Sequence, residues 1–190
     1  YSILKGTFGI WNIQAGARYD QRNIKTFESI DPFSDDPFSE NFDGFNYSIG
    51  ISRSSDNFTT RLNASSGFRP PHISELLANG VHHATAQFLI GDLTLVPERA
   101  NQIDFYLGMH REHLEIIVNP FVNQIDNFIY NDPIGENDSY SGLPIFDIKR
   151  TNALLYGGDI ALHYHPHIAH WMHLESNFSL LKTEDQLGNP

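Results

Sequence analysis

Apolar and polar residues alternate with period 2 through most of this chain, and the alternating segments are joined by connections of two very different lengths. Phe45, Tyr47, Ile49 and Ile51 oppose Asn46, Ser48, Gly50 and Ser52. Phe58–Arg69, Asn101–His110, Asp159–His165 and Trp171–Leu181 repeat the pattern, and Gly9–Asp20 and Leu114–Tyr130 are β-rich though less regular. Alternation of this kind makes strands whose two faces meet different surroundings. Only Ile73–Ala78 has the look of a helical turn or two.

The connections at Lys5–Thr7, Arg53–Asn57, Arg111–Glu112 and Pro166–His170 are short. Those at Gln21–Gly44, Pro70–Ala100 and Asn131–Pro144 are long and rich in Pro, Gly, Asp and Asn. Short and long take turns along the chain. Compact soluble domains rarely carry unstructured loops beyond about 12–15 residues. An outer-membrane barrel carries them as a rule, with tight turns on the periplasmic side and long loops outside. The strands run to roughly ten residues or more, the length that crosses a bilayer. Tyr164 and Trp171 flank a short turn, while Tyr19 and Tyr130 lie beside long loops, as interfacial girdles require. The fold class expected is all-β: part of an antiparallel transmembrane β-barrel with about seven long strands. A β-sandwich or lipocalin-like barrel is the soluble alternative, and the loop lengths argue against it.

With 23 acidic against 12 basic side chains the net charge is −11, the wrong sign for a nucleic-acid surface. There is no Cys, so any zinc site would draw on the 10 His and the carboxylates. No G-x-S-x-G, H-E-x-x-H, P-loop or dinucleotide fingerprint is present, and an enzyme is not expected.

Two loop motifs carry a family likeness. One is Gly67-Phe68-Arg69-Pro70-Pro71-His72-Ile73-Ser74-Glu75-Leu76, where a strand exits into a long loop. The other runs from Asn79-Gly80-Val81-His82-His83-Ala84-Thr85 through Gly91-Asp92 to Leu95-Val96-Pro97-Glu98. Together they resemble the barrels of TonB-dependent outer-membrane receptors, and the His-containing loop is most similar to the zinc-uptake branch. Asn127–Tyr130 and Tyr156–Asp159 are similar to that family's following strands. The likeness covers most of residues 45–181. It implies a barrel of about 22 strands around an N-terminal plug, in the outer membrane of a Gram-negative bacterium. Residues 1–190 are then expected to be a partial barrel without plug, first strands or C-terminal strand. The partners implied are TonB, through the N-terminal portion, outer-membrane lipid, and a metal ion or metal chelate. No cofactor is implied; zinc enters as transported ligand.

His72, His82 and His83 are candidate ligands in the loop, with Asp92 or Glu98 to complete a site. A second candidate set comes from the His-rich tract. Period 2 places His163 and His165 on the polar face of one strand and His173 with Glu175 on that of its partner, while His167 and His170 fill the turn. Asp31–Asp43 is acidic enough to attract cations without matching an EF-hand. Phe27, Phe33, Phe38 and Phe42 suit uptake of a siderophore, haem or another chelate instead, and a small adhesive barrel is the remaining alternative. In an open sheet, Gly9–Asp20 and Trp171–Leu181 should lie at the edges.

Overall fold

A computed structural model of the chain describes residues 1–29, 37–168 and 171–185. In chain order the elements are β1 (Ser2–Phe8), β2 (Trp11–Ser29), β3 (Pro37–Ser54), β4 (Phe58–Arg69), α1 (Ile73–Leu77), β5 (Asn79–His82), β6 (Gln87–Ile90), β7 (Glu98–Arg111), β8 (Leu114–Asn137), β9 (Pro144–Tyr164) and β10 (Leu174–Asp185). They form one open sheet of ten strands in the order β1-β2-β3-β4-β7-β8-β9-β6-β5, with β10 also paired to β9. All pairings are antiparallel except β6 with β9.

Ten strands replace the expected seven, for three local reasons. β1 has adjacent Ile3 and Leu4 instead of alternation, so its pairing with β2 is invisible in the pattern. The turn that follows it is Gly9–Ile10, with Gly9 at φ 60, whereas Lys5–Thr7 lies inside the strand. β5 and β6 have four residues each and exist through tertiary pairing within the loop. Because β1 pairs along it, β2 is not an edge; β1 and β10 are the outermost long strands. Much of Gln21–Gly44 and Asn131–Pro144 is also strand, because β2 pairs with β3, and β8 with β9, well beyond the apolar alternation.

One face of the sheet is an exposed apolar band. Phe45, Tyr47, Ile49 and Ile51 are 51%, 46%, 56% and 38% accessible, and the register aligns Ile49 with Ala15 and Ala64, and Ile103 with Ala64 and Val122. A continuous apolar surface of this extent on a strand wall fits hydrocarbon. The opposite face is polar, with Asn63 donating to Asp104 Oδ2 at 2.7 Å and Arg61 lying 5.5 Å from the Tyr106 ring. Toward the long loops this inner face turns apolar. Ile24, Phe42, Ile129 and Ile148 pack there with Leu76 of α1 and Leu95, and this cluster is the core.

Candidate functional site

The long connection between β4 and β7 is a folded object built on one arginine. Arg69, the last residue of β4, lies past the Tyr19–Phe45 row that ends the apolar band. Its Nε and Nη2 donate to Glu98 Oε2 and Oε1, both at 2.6 Å, and its Nη1 donates to both Glu75 oxygens at 3.0 and 3.1 Å. These bonds, Glu98's foremost, raise the Arg69 pKa above its ordinary value. Glu98 Oε1 also accepts the Ile129 amide at 2.7 Å, and Glu75 accepts the His72 amide at 2.7 Å as half of a capping box. The chain then returns past α1. Gly91 N donates to Ala78 O at 2.7 Å and Asp92 N to Glu75 O at 3.0 Å.

The loop candidates are placed separately along this object. His72 is the N-cap of α1, its Nδ1 accepting from Ser74 N at 3.3 Å. His82 Nδ1 lies 2.9 Å from Thr85 Oγ1 at the end of β5, and His83 is exposed in the β5–β6 turn. Asp92 Oδ1 accepts from the Thr94 amide and hydroxyl, each at 2.7 Å, closing an Asx turn. The Glu98 carboxylate is committed to Arg69 and Ile129. Among the described residues these side chains do not converge on a common point within metal-binding reach.

Imidazoles converge at the opposite rim. The register sets His110 opposite Glu115, Glu115 opposite His163, and His163 opposite Glu175 across β7, β8, β9 and β10. His110 Nδ1 is 2.8 Å from Glu115 Oε1 and His163 Nδ1 is 3.1 Å from Glu115 Oε2, so one carboxylate joins two rings. One step toward the turns, His113 Nδ1 meets His165 Nδ1 at 3.1 Å, and the His165 ring lies 5.9 Å from that of His173. His163, His165 and His173 thus share one open cavity of about 370 Å³, as their alternation predicts, and His110 and Glu115 join them there. In the turns themselves, Glu112, His113 and His167 bring one ligand atom each within 4.8 Å of the others. Sequence reasoning passed over His110, Glu112, His113 and Glu115. The signal available was phase: His110 and Glu115 flank a two-residue turn on the polar face.

Several expectations concern residues beyond this description or in other roles. Asp31, Phe33, Asp35, Asp36 and His170 lie outside the described residues. Glu40 and Asp43 belong to β3 instead of a loop. Phe42 is in the core with Phe38 packed against it, whereas Phe27 is fully exposed. In the β8–β9 loop, Asp138 Oδ2 accepts from Ser141 Oγ at 2.7 Å, from Ser141 N at 2.6 Å and from Tyr140 N at 3.2 Å, and these bonds hold its pKa below the ordinary carboxylate range.

Residues 3–190 match the family described as TonB dependent receptor-like, beta-barrel. The fold is similar to that of the copper transporter OprC, with a TM-score of 0.74 and 15% identity, over 97% of this chain and 28% of that one. It is similar to the FrpB iron transporter from Neisseria meningitidis, with a TM-score of 0.65 and 14% identity, over 95% and 24%. It also resembles the siderophore receptor PirA from Pseudomonas aeruginosa, with a TM-score of 0.60 and 16% identity, over 90% and 35%. The chain therefore spans about a quarter to a third of the length of these structures.

Proposed function

The chain belongs to the TonB-dependent receptor-like β-barrel family, and on that premise we propose that it is part of a Gram-negative outer-membrane receptor that takes up a metal ion, zinc first. The family and its structural neighbours are transporters and receptors rather than enzymes. In this proposal the apolar face meets outer-membrane lipid, and the polar face lines a lumen filled by a plug from another part of the protein. TonB engages the N-terminal portion and rearranges that plug. Zinc is cargo, and no resident cofactor is invoked.

The observation that carries the cation reading is the row His110–Glu115–His163 on the inner face. Imidazole nitrogens beside a carboxylate are borderline-soft N/O donors of the kind zinc prefers. The net charge of −11 supports it by concentrating cations and disfavouring free anions at the mouth. His72, His82, His83 and Asp92 remain the proposed outer contacts, taken one at a time as the loop rearranges. A chelate is the second reading, favoured by the full exposure of Phe27 and Tyr140 near the long-loop rim. Of the four phenylalanines that suit a chelate, Phe42 and Phe38 are engaged in the core.

The test is zinc accumulation by zinc-starved cells with and without the complete receptor, beside a His82→Ala/His83→Ala variant. Receptor-dependent accumulation that falls in the variant supports zinc uptake through this loop. Receptor-dependent accumulation that is unchanged in the variant retains zinc and removes the loop histidines. Accumulation independent of the receptor overturns zinc and leaves a chelate as cargo.

A further inference from the structure

We propose that Glu112, His113 and His167 form a divalent-metal site of the zinc class that fastens the β7–β8 turn to the β9–β10 turn, at the rim opposite the long loops. Nothing in the likeness to receptors points to these residues; the juxtaposition does. His113 Nε2 lies 3.7 Å from Glu112 Oε1, and His167 Nε2 lies 3.9 Å from the same oxygen. The His113 and His167 rings stand 3.6 Å apart between centroids. Ligands around tetrahedral zinc at about 2.0–2.2 Å are separated from one another by roughly 3.4 Å. The two contacts to Glu112 must close by a few tenths of an ångström and the third pair from at most 4.8 Å, and Glu112 and His167 lie at the surface, with side chains 80% and 64% accessible, beside the half-buried His113.

His113 is the anchor, because the structure orients its ring from behind. The His165 amide donates to His113 O at 3.0 Å, so the two turns are already joined through the backbone. The two Nδ1 atoms lie 3.1 Å apart, a distance at which either can donate to the other. With the proton on His113 Nδ1, its Nε2 carries a lone pair directed toward Glu112 and His167. That same Nε2 is buried and has no hydrogen-bond partner. A ligating imidazole characteristically gives its other N–H to a neighbouring acceptor, which fixes tautomer and orientation. His165 fills that role here. In that tautomer the bare Nε2 faces a carboxylate, and a divalent ion held between them would satisfy both. Solvent completes the fourth position.

This site does not depend on zinc being the cargo. The experiment titrates the complete receptor in detergent with Co²⁺, whose visible bands report tetrahedral nitrogen and oxygen ligation, and with Zn²⁺ in competition. The parent should bind one ion that His113→Ala loses and Glu112→Gln holds at least tenfold more weakly. His165→Ala should weaken it about tenfold or more by releasing the ring. His82→Ala/His83→Ala should leave this ion in place. Zinc should also protect the exposed His167 from diethylpyrocarbonate in the parent. Heat-modifiable mobility in gels identifies folded protein, and Glu112→Gln alters an exposed side chain, so at least that variant is expected to fold. Equal stoichiometry and affinity in parent, His113→Ala and Glu112→Gln overturn the site, as does modification of His167 that zinc leaves unchanged. Loss of zinc uptake by cells with this ion retained overturns the transport reading alone.

Discussion

Arg69 holds Glu98 through two parallel hydrogen bonds of 2.6 Å, while its remaining amino group holds Glu75 across the first turn of α1. One guanidinium therefore ties the wall strands β4 and β7 to the start of the loop. Glu98 is buried, so removing its partner leaves a carboxylate with one remaining donor, the Ile129 amide. Arg69→Ala should destabilise the loop by about 1–3 kcal/mol. Arg69→Lys should recover only part of this, since an ammonium cannot form the fork. Hydrogen exchange across residues 73–95 measures the effect, and protection equal to the parent's would refute it.

Gly91 approaches α1 too closely for any side chain. A Cβ there would sit 2.7 Å from both Ala78 N and Leu76 O, which are backbone atoms and cannot swing aside. Gly91→Ala should therefore break the return hydrogen bonds to Ala78 and Glu75, at about 1–3 kcal/mol. Limited proteolysis should then cut within Asn79–Asp92 while the strands resist. Gly9→Ser is the contrast: nothing lies within 4 Å of its added Cβ, and only its φ of 60 opposes the change.

The Asp138 turn should be acid-sensitive. Its folded carboxyl has a pKa below the ordinary value of 3.8, because Ser141 and Tyr140 donate to the charged form. The contribution is complete above that unfolded value and is lost as pH falls through the lower folded value. Amide exchange at Tyr140 and Ser141 should accelerate below about pH 4, relative to amides in β8. An Asp138→Asn variant should show the faster exchange already at neutral pH.

The two faces of β3 should answer differently to the same charge. Ile49→Arg places a guanidinium on the apolar band and should cost about 2–4 kcal/mol of folding stability in lipid if it sits near the midplane. Ser48→Arg, on the polar face beside an open cavity, should cost far less. Urea titration of the complete receptor folded in vesicles separates them. Equal costs would contradict the assignment of the faces.

What could be read from the chain was whatever period 2 records. The faces of β3, β4, β7 and β10 follow directly from it, and so does the shared face of His163, His165 and His173. β1 escaped because Ile3 and Leu4 are adjacent, and β5 and β6 because four-residue strands carry no period of their own. The upper parts of β2 and β8 looked like loop because they are rich in Asp, Asn and charge; beyond the apolar band a strand has no need of an apolar face. The motif residues Arg69, Glu75 and Glu98 were visible as a likeness, yet nothing in their spacing reveals that they meet. Glu112 and His113 were hidden by their position in a tight turn whose partner, His167, arrives from a different hairpin.

The parallel pairing of β6 with the start of β9 has a consequence for assembly. Phe88, Leu89 and Ile90 dock on Ile145, Phe146 and Asp147, positions made long after them along the chain. Contacts between distant segments form late, because the intervening chain must first be organised. The β5–β6 hairpin is therefore expected to seat late, once β9 has been set in place. On that expectation the loop takes its final form last, on a strand that arrives far later in the chain than the loop itself.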